Sequence, residues 1–70
     1  MKRTAVIKKI RRAAKEAGVQ FEVTEGGNHT RLLVGTVRTT IGRHSEVAEG
    51  AVEALYKQLE PALGKGWWKR

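Results

Sequence analysis

The residues of this chain best suited to chemistry are a histidine and an arginine that follow a glycine turn. The segment Gly26-Gly27-Asn28 allows a tight reversal of the backbone, and His29 and Arg31 come directly after it. Histidine can accept or donate a proton at neutral pH, and arginine can hold two phosphate oxygens at once. Cleavage of an RNA phosphodiester without a metal requires these groups: a base, an acid and positive charge on the phosphate.

The charge of the chain predicts a polyanionic partner. Its 70 residues include 14 lysines and arginines, seven acidic residues and no cysteine, which leaves a net charge of +7. Because the positive charge is clustered, nucleic acid is a better candidate than a membrane, and solubility alone is the alternative explanation. Without cysteine there is no disulfide or thiolate metal site, and two histidines without clustered carboxylates predict no metal centre.

The hydropathy and length predict one small cytoplasmic domain. No apolar run approaches the roughly 20 residues of a membrane span, and no apolar core follows the charged N-terminus as in a signal peptide. Residues 1–63 are expected to form the domain, and residues 64–70 a flexible basic and aromatic tail. The tail tryptophans could stack on bases or fold back on the core, and the sequence does not decide between these alternatives.

A basic amphipathic helix is predicted over residues 4–17, with Thr4 as its cap and Gly18 as its left-handed stop. Its apolar stripe is Val6, Ile7, Ile10, Ala13, Ala14 and Ala17. The remaining surface is basic and is expected to contact phosphate, above all through Lys8, Arg11, Arg12 and Lys15, with Lys9 on the same surface. The alternative is that they form an ordinary solvated face.

Three strands with period two are predicted at residues 19–25, 29–34 and 36–41, joined by short glycine turns into an antiparallel meander. One face is apolar. The opposite face carries Gln20, Glu22, Thr24, His29, Arg31, Leu33, Arg38 and Thr40. Leu33 is interpreted as isolated surface or as part of a docking patch.

A second helical segment is expected to start near Ser45, to become regular at Gly50 and to end before Pro61. Its apolar stripe is Val52, Leu55, Tyr56 and Leu59. The fold class is therefore α+β, with the order α-β-β-β-α and two helices on one face of a three-stranded antiparallel sheet. This is the order of the double-stranded-RNA-binding fold.

Three segments in this order resemble the HicA toxin family. They are a basic helix ending Lys-Glu-Ala-Gly at residues 15–18, the Gly-Asn-His of residues 27–29, and residues 41–55, which are similar to the family's Pro-x-His, Glu-Leu and Gly-Thr-Leu series. The resemblance spans residues 3–59. Asn28, Gly42 and Ala51 stand where the family usually has serine, proline and threonine.

The resemblance implies a double-stranded-RNA-binding-like fold and a metal-independent mRNA endoribonuclease that a HicB-like antitoxin neutralises. It implies a catalytic role for His29. Arg31 and Arg38 are expected to hold the scissile phosphate, with Asn28 beside the catalyst. The alternative interpretations are a non-catalytic RNA- or DNA-binding module, or a surface histidine without a function. His44 is expected to have a structural role before the second helix.

Overall fold

The structure is a computed structural model that describes residues 1–69. Its helices and strands follow one another in the predicted order. The elements are helix α1 (Arg3–Ala17), strands β1 (Phe21–Glu25), β2 (His29–Val34) and β3 (Val37–Gly42), helix α2 (Glu49–Gln58) and short helix α3 (Glu60–Leu63). A 3₁₀ turn, Trp67–Lys69, follows. The predicted α+β class and the α-β-β-β-α order are confirmed, with α3 as an additional short helix.

The sheet is antiparallel with the strand order β1-β2-β3, so that β2 is the central strand. In the register, Arg31 lies opposite Thr24 of β1 and Thr40 of β3, while His29 lies opposite Gly42. Directly opposite residues point to the same face of a sheet. The predicted alternation of the strands is therefore confirmed, and β2 has the predicted bounds.

The hydrophobic core lies on one face of this sheet, beneath the helices. The sheet contributes Thr30, Leu32, Val34 and Ile41, all less than 5% exposed. The helices contribute Val6, Ile10, Ala14, Val52, Leu55, Tyr56, Leu59 and Leu63. Val23 points to the same face as its partner Leu32 but lies on edge strand β1 and is 40% exposed.

Helix α1 presents its apolar stripe to the core, although two of the predicted details are wrong. The N-cap residue is Lys2 rather than Thr4, and no side chain caps the helix. Gly18 ends the helix as predicted: its φ is 70°, and its N–H bonds the carbonyl of Ala14. Ala17 is exposed, since only the first three turns of the stripe face the sheet.

The segment before α2 is extended rather than helical, contrary to the expected helix start near Ser45. Glu46 bridges Lys2 in antiparallel pairing, and the N–H of Val47 donates to the carbonyl of Met1. These residues use their backbone groups for the N-terminus, so the helix begins only at Glu49. This pairing holds the start of α1 against the loop after β3.

The regular helix α2 ends before Pro61 as expected, but Glu60, expected to be non-helical, begins a further short helix. Helix α2 ends at Gln58, Leu59 makes a bend, and α3 starts at Glu60 with the proline in its first turn. A proline is tolerated there because the first-turn N–H groups have no intrahelical partner. The bend turns the chain back toward α1.

The C-terminal residues 64–69 are packed and not a flexible tail. Trp67 is 6% exposed, its ring centroid lies 4.9 Å from that of Tyr56, and its indole N–H donates to the Tyr56 carbonyl at 2.9 Å. The Lys9 ammonium donates to the Trp68 carbonyl at 2.9 Å. The domain therefore extends at least to Lys69. Arg70 lies outside the described residues.

We expect the Tyr56→Phe substitution to leave the protein as stable or to stabilise it by up to about 1 kcal/mol. The phenol oxygen is buried and has no hydrogen-bond partner among residues 1–69, and burial raises the pKa of the phenol. Removing an unpaired buried hydroxyl removes a desolvation cost. Urea unfolding checks this, and a loss above 1 kcal/mol would show that the hydroxyl contributes to stability.

Candidate functional site

The helices leave one face of the sheet open, and three of the predicted site residues lie on it. His29 is the exposed first residue of β2, and Arg31 follows about 7 Å along the same strand face. Arg38 of β3 lies opposite Leu33, on the same face. Both arginines are exposed. One base and two guanidinium groups thus share a single solvent-facing surface.

A groove of about 340 Å³ crosses this open face. Its lining includes Thr24, Arg31, Leu33, Arg38 and Thr40, one row of side chains from each strand. The guanidinium groups can hold a phosphate, the hydroxyls can bond sugar or phosphate oxygens, and Leu33 offers apolar contact. The half-buried Leu33 belongs to this groove and is not an isolated surface residue.

A polar cluster behind His29 holds the β1–β2 turn in place. The Glu25 carboxylate accepts a hydrogen bond from the Thr30 hydroxyl at 2.6 Å and from the Arg43 guanidinium at 3.1 Å. Arg43 also donates to the carbonyl of Gly26 at 2.5 Å. Arg3 donates to the Thr30 hydroxyl. Charge-assisted bonds of this kind are stronger than neutral ones, and together they orient the turn that presents His29.

Arg3 also ties the end of β3 next to His29 to helix α1. Its Nε donates to the carbonyl of Gly42 at 3.1 Å, and its guanidinium lies 3.6 Å from the Glu25 carboxylate. Periodicity cannot find this cluster, because its members come from α1, β1, β2 and the loop after β3. The only sign of this cluster in the sequence is that Arg3 and Arg43 do not belong to the predicted basic surface of α1.

The cluster predicts a loss of stability in acid. The pKa of Glu25 is lowered, first because its carboxylate accepts the Thr30 hydroxyl and then because Arg43 and Arg3 are near. A carboxyl whose pKa is lower in the folded state stabilises the fold above its unfolded pKa near 4.5. That stabilisation is lost as the pH falls through the folded value.

We therefore expect Glu25→Gln to be less stable than the wild type at pH 7 and to approach it at pH 3. Urea unfolding at the two pH values measures the difference. Glu16→Gln, on the exposed surface of α1, is the matched control and should not reproduce the change. A Glu25→Gln deficit of equal size at both pH values would contradict the ionic role of this carboxylate.

The basic residues of α1 lie apart from the open face. Lys8 and Arg12 line a second groove of about 790 Å³, with Trp67 on its other wall. The Arg11 guanidinium lies 5.9 Å from the centre of the Phe21 ring, at the β1 edge of the sheet. Because α1 packs on the inner face, the sheet separates this groove from His29. One phosphate cannot contact both surfaces.

The remaining predicted site residues lie at two ends of the structure. Asn28 is exposed in the turn immediately before His29, within reach of a substrate bound there. Lys15 is exposed in the last turn of α1, where a cation interacts favourably with the helix dipole. Its contact with phosphate stays a prediction, as do those of the other basic residues of this helix.

Residues 1–69 contain neither a group of metal ligands nor a membrane-spanning helix. No three histidine, cysteine or carboxylate side chains in this part of the chain come together as a metal site. No helix among the described residues is long and apolar enough to cross a membrane.

Comparisons with protein-family models, with curated proteins and with solved structures find no match to this chain. The resemblance to the HicA family and to the double-stranded-RNA-binding fold therefore rests on the residues and on the order of the elements. Its implications for function are hypotheses.

Proposed function

We propose that this protein is a HicA-like endoribonuclease that cleaves mRNA without a metal and so inhibits translation in the cytoplasm. The observation that carries the proposal is the exposed His29 on the open sheet face that also carries Arg31 and Arg38. A structural histidine would be packed or bonded, whereas this one begins a central strand and faces solvent. Two arginines on the same face suit a phosphodiester substrate.

In the proposed reaction, the arginines hold the scissile phosphate in the groove of the open face. His29 transfers a proton as the 2′-hydroxyl attacks phosphorus and the 5′-oxygen leaves. The side-chain NH₂ group of Asn28 donates a hydrogen bond to a substrate oxygen next to His29. The Glu25–Arg43 contact orients the turn, which reduces the reorganisation needed when RNA binds.

The basic surface of α1 would contact phosphates farther along the RNA. The Cα atoms of the domain span 28 × 22 × 16 Å, so a strand of several nucleotides can pass from the open face around an edge. Arg11 at the β1 edge lies on such a path, and Lys8, Arg12 and Lys15 would follow. These contacts add affinity without sequence preference.

The open face also suits the proposed antitoxin partner. A HicB-like protein that covered His29 and the two arginines would block substrate directly. An acidic surface on such a partner would be attracted to this chain, whose net charge is +7.

A second candidate function is RNA or DNA binding without cleavage. The observation that favours it is the groove formed by Lys8, Lys9 and Arg12, which is separate from His29 and needs no chemistry. In that case the open face would be an ordinary polar surface. Cleavage separates the two functions.

The experiment that tests the proposal incubates the purified full chain with labelled mRNA, with and without EDTA. We expect cleavage in both, with a 2′,3′-cyclic phosphate on one product and a 5′-hydroxyl on the other. Bound but intact RNA would favour the binding module. RNA that is neither bound nor cleaved would contradict both functions, and cleavage abolished by EDTA would contradict the metal-free reaction.

A further inference from the structure

The second histidine of the chain, His44, lies against Gly42, the residue that pairs with the first histidine, although 15 positions separate the two histidines. His29 pairs with Gly42 across β2 and β3. A Cβ at Gly42 would lie 3.8 Å from Cδ2 of the His44 imidazole. The Cβ atoms of directly opposite residues in a sheet are about 4.5–5.5 Å apart. The His44 ring therefore lies next to the place where a side chain of residue 42 would face His29.

Glycine at position 42 matters for the space it leaves and not for its backbone. Its φ is not among the positive glycine values of the chain, which are those of Gly18, Gly35, Gly64 and Gly66. Any residue could therefore adopt the backbone conformation of Gly42. Because Gly42 has no side chain, the space next to the His44 ring is left free on the sheet face that also carries His29 and the arginines.

The residues on both sides of His44 are anchored, Arg43 through its side chain and Ser45 through its backbone, while the His44 ring is not. Arg43 is held by Glu25 and by the Gly26 carbonyl, and the Ser45 carbonyl accepts the backbone N–H of Arg3 at 2.9 Å. The hydrogen bonds among residues 1–69 include none from the His44 imidazole, which is exposed. The expected structural role before α2, a bond from the ring to local backbone groups, is not found among these residues, and the ring is available to a substrate.

We propose that His44 is the second proton-transfer group of the site, a catalytic partner of His29. This inference rests on the proposed ribonuclease function and supplies the group that a single histidine lacks. Cleavage needs one group that accepts a proton and one that donates a proton, and a neutral and a protonated imidazole can fill these two roles. Two histidines near Gly42 can meet that requirement, with Arg31 on the same face.

The step balances without a metal or cofactor. The neutral imidazole takes the proton of the 2′-hydroxyl, the bond from O2′ to phosphorus forms, and the bond from phosphorus to O5′ breaks. The imidazolium gives its proton to O5′, which leaves as a 5′-hydroxyl, and the other product ends in a 2′,3′-cyclic phosphate. The two histidines exchange protonation states and return to the first state through water.

The test compares His29→Ala and His44→Ala on two substrates. RNA has a poor leaving group that needs an acid, whereas uridine 3′-(4-nitrophenyl phosphate) has a leaving group that departs unprotonated. On RNA we expect each variant to lose about 10²–10⁴-fold in rate. On the activated ester we expect one variant, the one that lacks the acid, to recover to within about tenfold of the wild type.

Controls separate chemistry from structure. Ser45→Ala, beside His44 and exposed, should cleave like the wild type. His44→Gln keeps a polar side chain of similar size but cannot transfer a proton, and it should be as slow on RNA as His44→Ala. The urea midpoints of both His44 variants should equal that of the wild type because the ring is exposed.

Three results would overturn the inference. Wild-type rates for His44→Ala or His44→Gln, with His29→Ala inactive, would exclude His44 and leave the ribonuclease function standing. Equal losses of both alanine variants on both substrates would exclude an acid–base pair. A wild-type protein that cleaves neither substrate would overturn the proposed function and this inference together.

Discussion

His29→Ala is expected to lower the rate of RNA cleavage by about 10²–10⁴-fold while RNA affinity changes by less than about threefold. The imidazole lies at the head of β2, exposed, and contributes to no core contact. Affinity for RNA comes from arginines and lysines that the substitution leaves in place. Single-turnover cleavage measures the first quantity, and filter binding measures the second.

The matched variant for this experiment is Arg31→Ala, two residues along the same strand face. It should weaken binding and cleavage together, because a phosphate ligand acts in both the bound and the transition state. Arg31→Lys should restore part of the binding, since it keeps the charge but loses the planar fork. If His29→Ala cleaves RNA at the wild-type rate, His29 is not the catalyst and the open face is not the active site.

His29→Ala also has an expected effect in cells. Induced expression of the wild type should arrest growth, and His29→Ala should relieve the arrest at equal protein levels. Wild-type expression without arrest would favour the binding module. A variant that still arrests growth would point to toxicity unrelated to RNA cleavage.

Trp67→Ala is expected to destabilise the protein by about 3–5 kcal/mol. The substitution removes a buried indole from its edge-to-face contact with Tyr56 and its hydrogen bond to the Tyr56 carbonyl. A domain of this size has only a small margin of stability, so the variant should be largely unfolded near 37 °C. Circular dichroism and urea unfolding measure the loss.

Trp68→Ala provides the comparison, because Trp68 is half-buried at the surface beside Lys9 and Lys69. Its loss should be clearly smaller than that of Trp67→Ala. Truncation after Leu63 should match the Trp67 variant. If Trp67→Ala unfolds at the wild-type urea concentration, the C-terminal residues are not part of the core.

Local patterns predicted the elements that depend on neighbours in the chain. The bounds of β2 and the shared face of His29 and Arg31 follow from alternation along an extended backbone, which sequence spacing determines. Gly18 ends α1 as predicted because the left-handed conformation there is a property of the residue itself. These features needed no knowledge of distant contacts.

Features that depend on distant contacts were missed or wrong. Thr4 is not a cap, because the N-terminus pairs with the loop before α2 and the helix starts one residue earlier. The prediction of a loose tail failed because the segment around Trp67 has no hydrophobic periodicity that could indicate packing. Its partner Tyr56 comes into reach only after the bend at Leu59.

By itself, the sequence determined which residues of this protein could do chemistry and which face of the sheet His29 and Arg31 share. Only the tertiary structure decided what stands next to them. It brought His44 to the gap at Gly42 and separated the basic residues of α1 from the open face. Strand pairing and helix packing join residues far apart in the chain, and no local spacing encodes those partners.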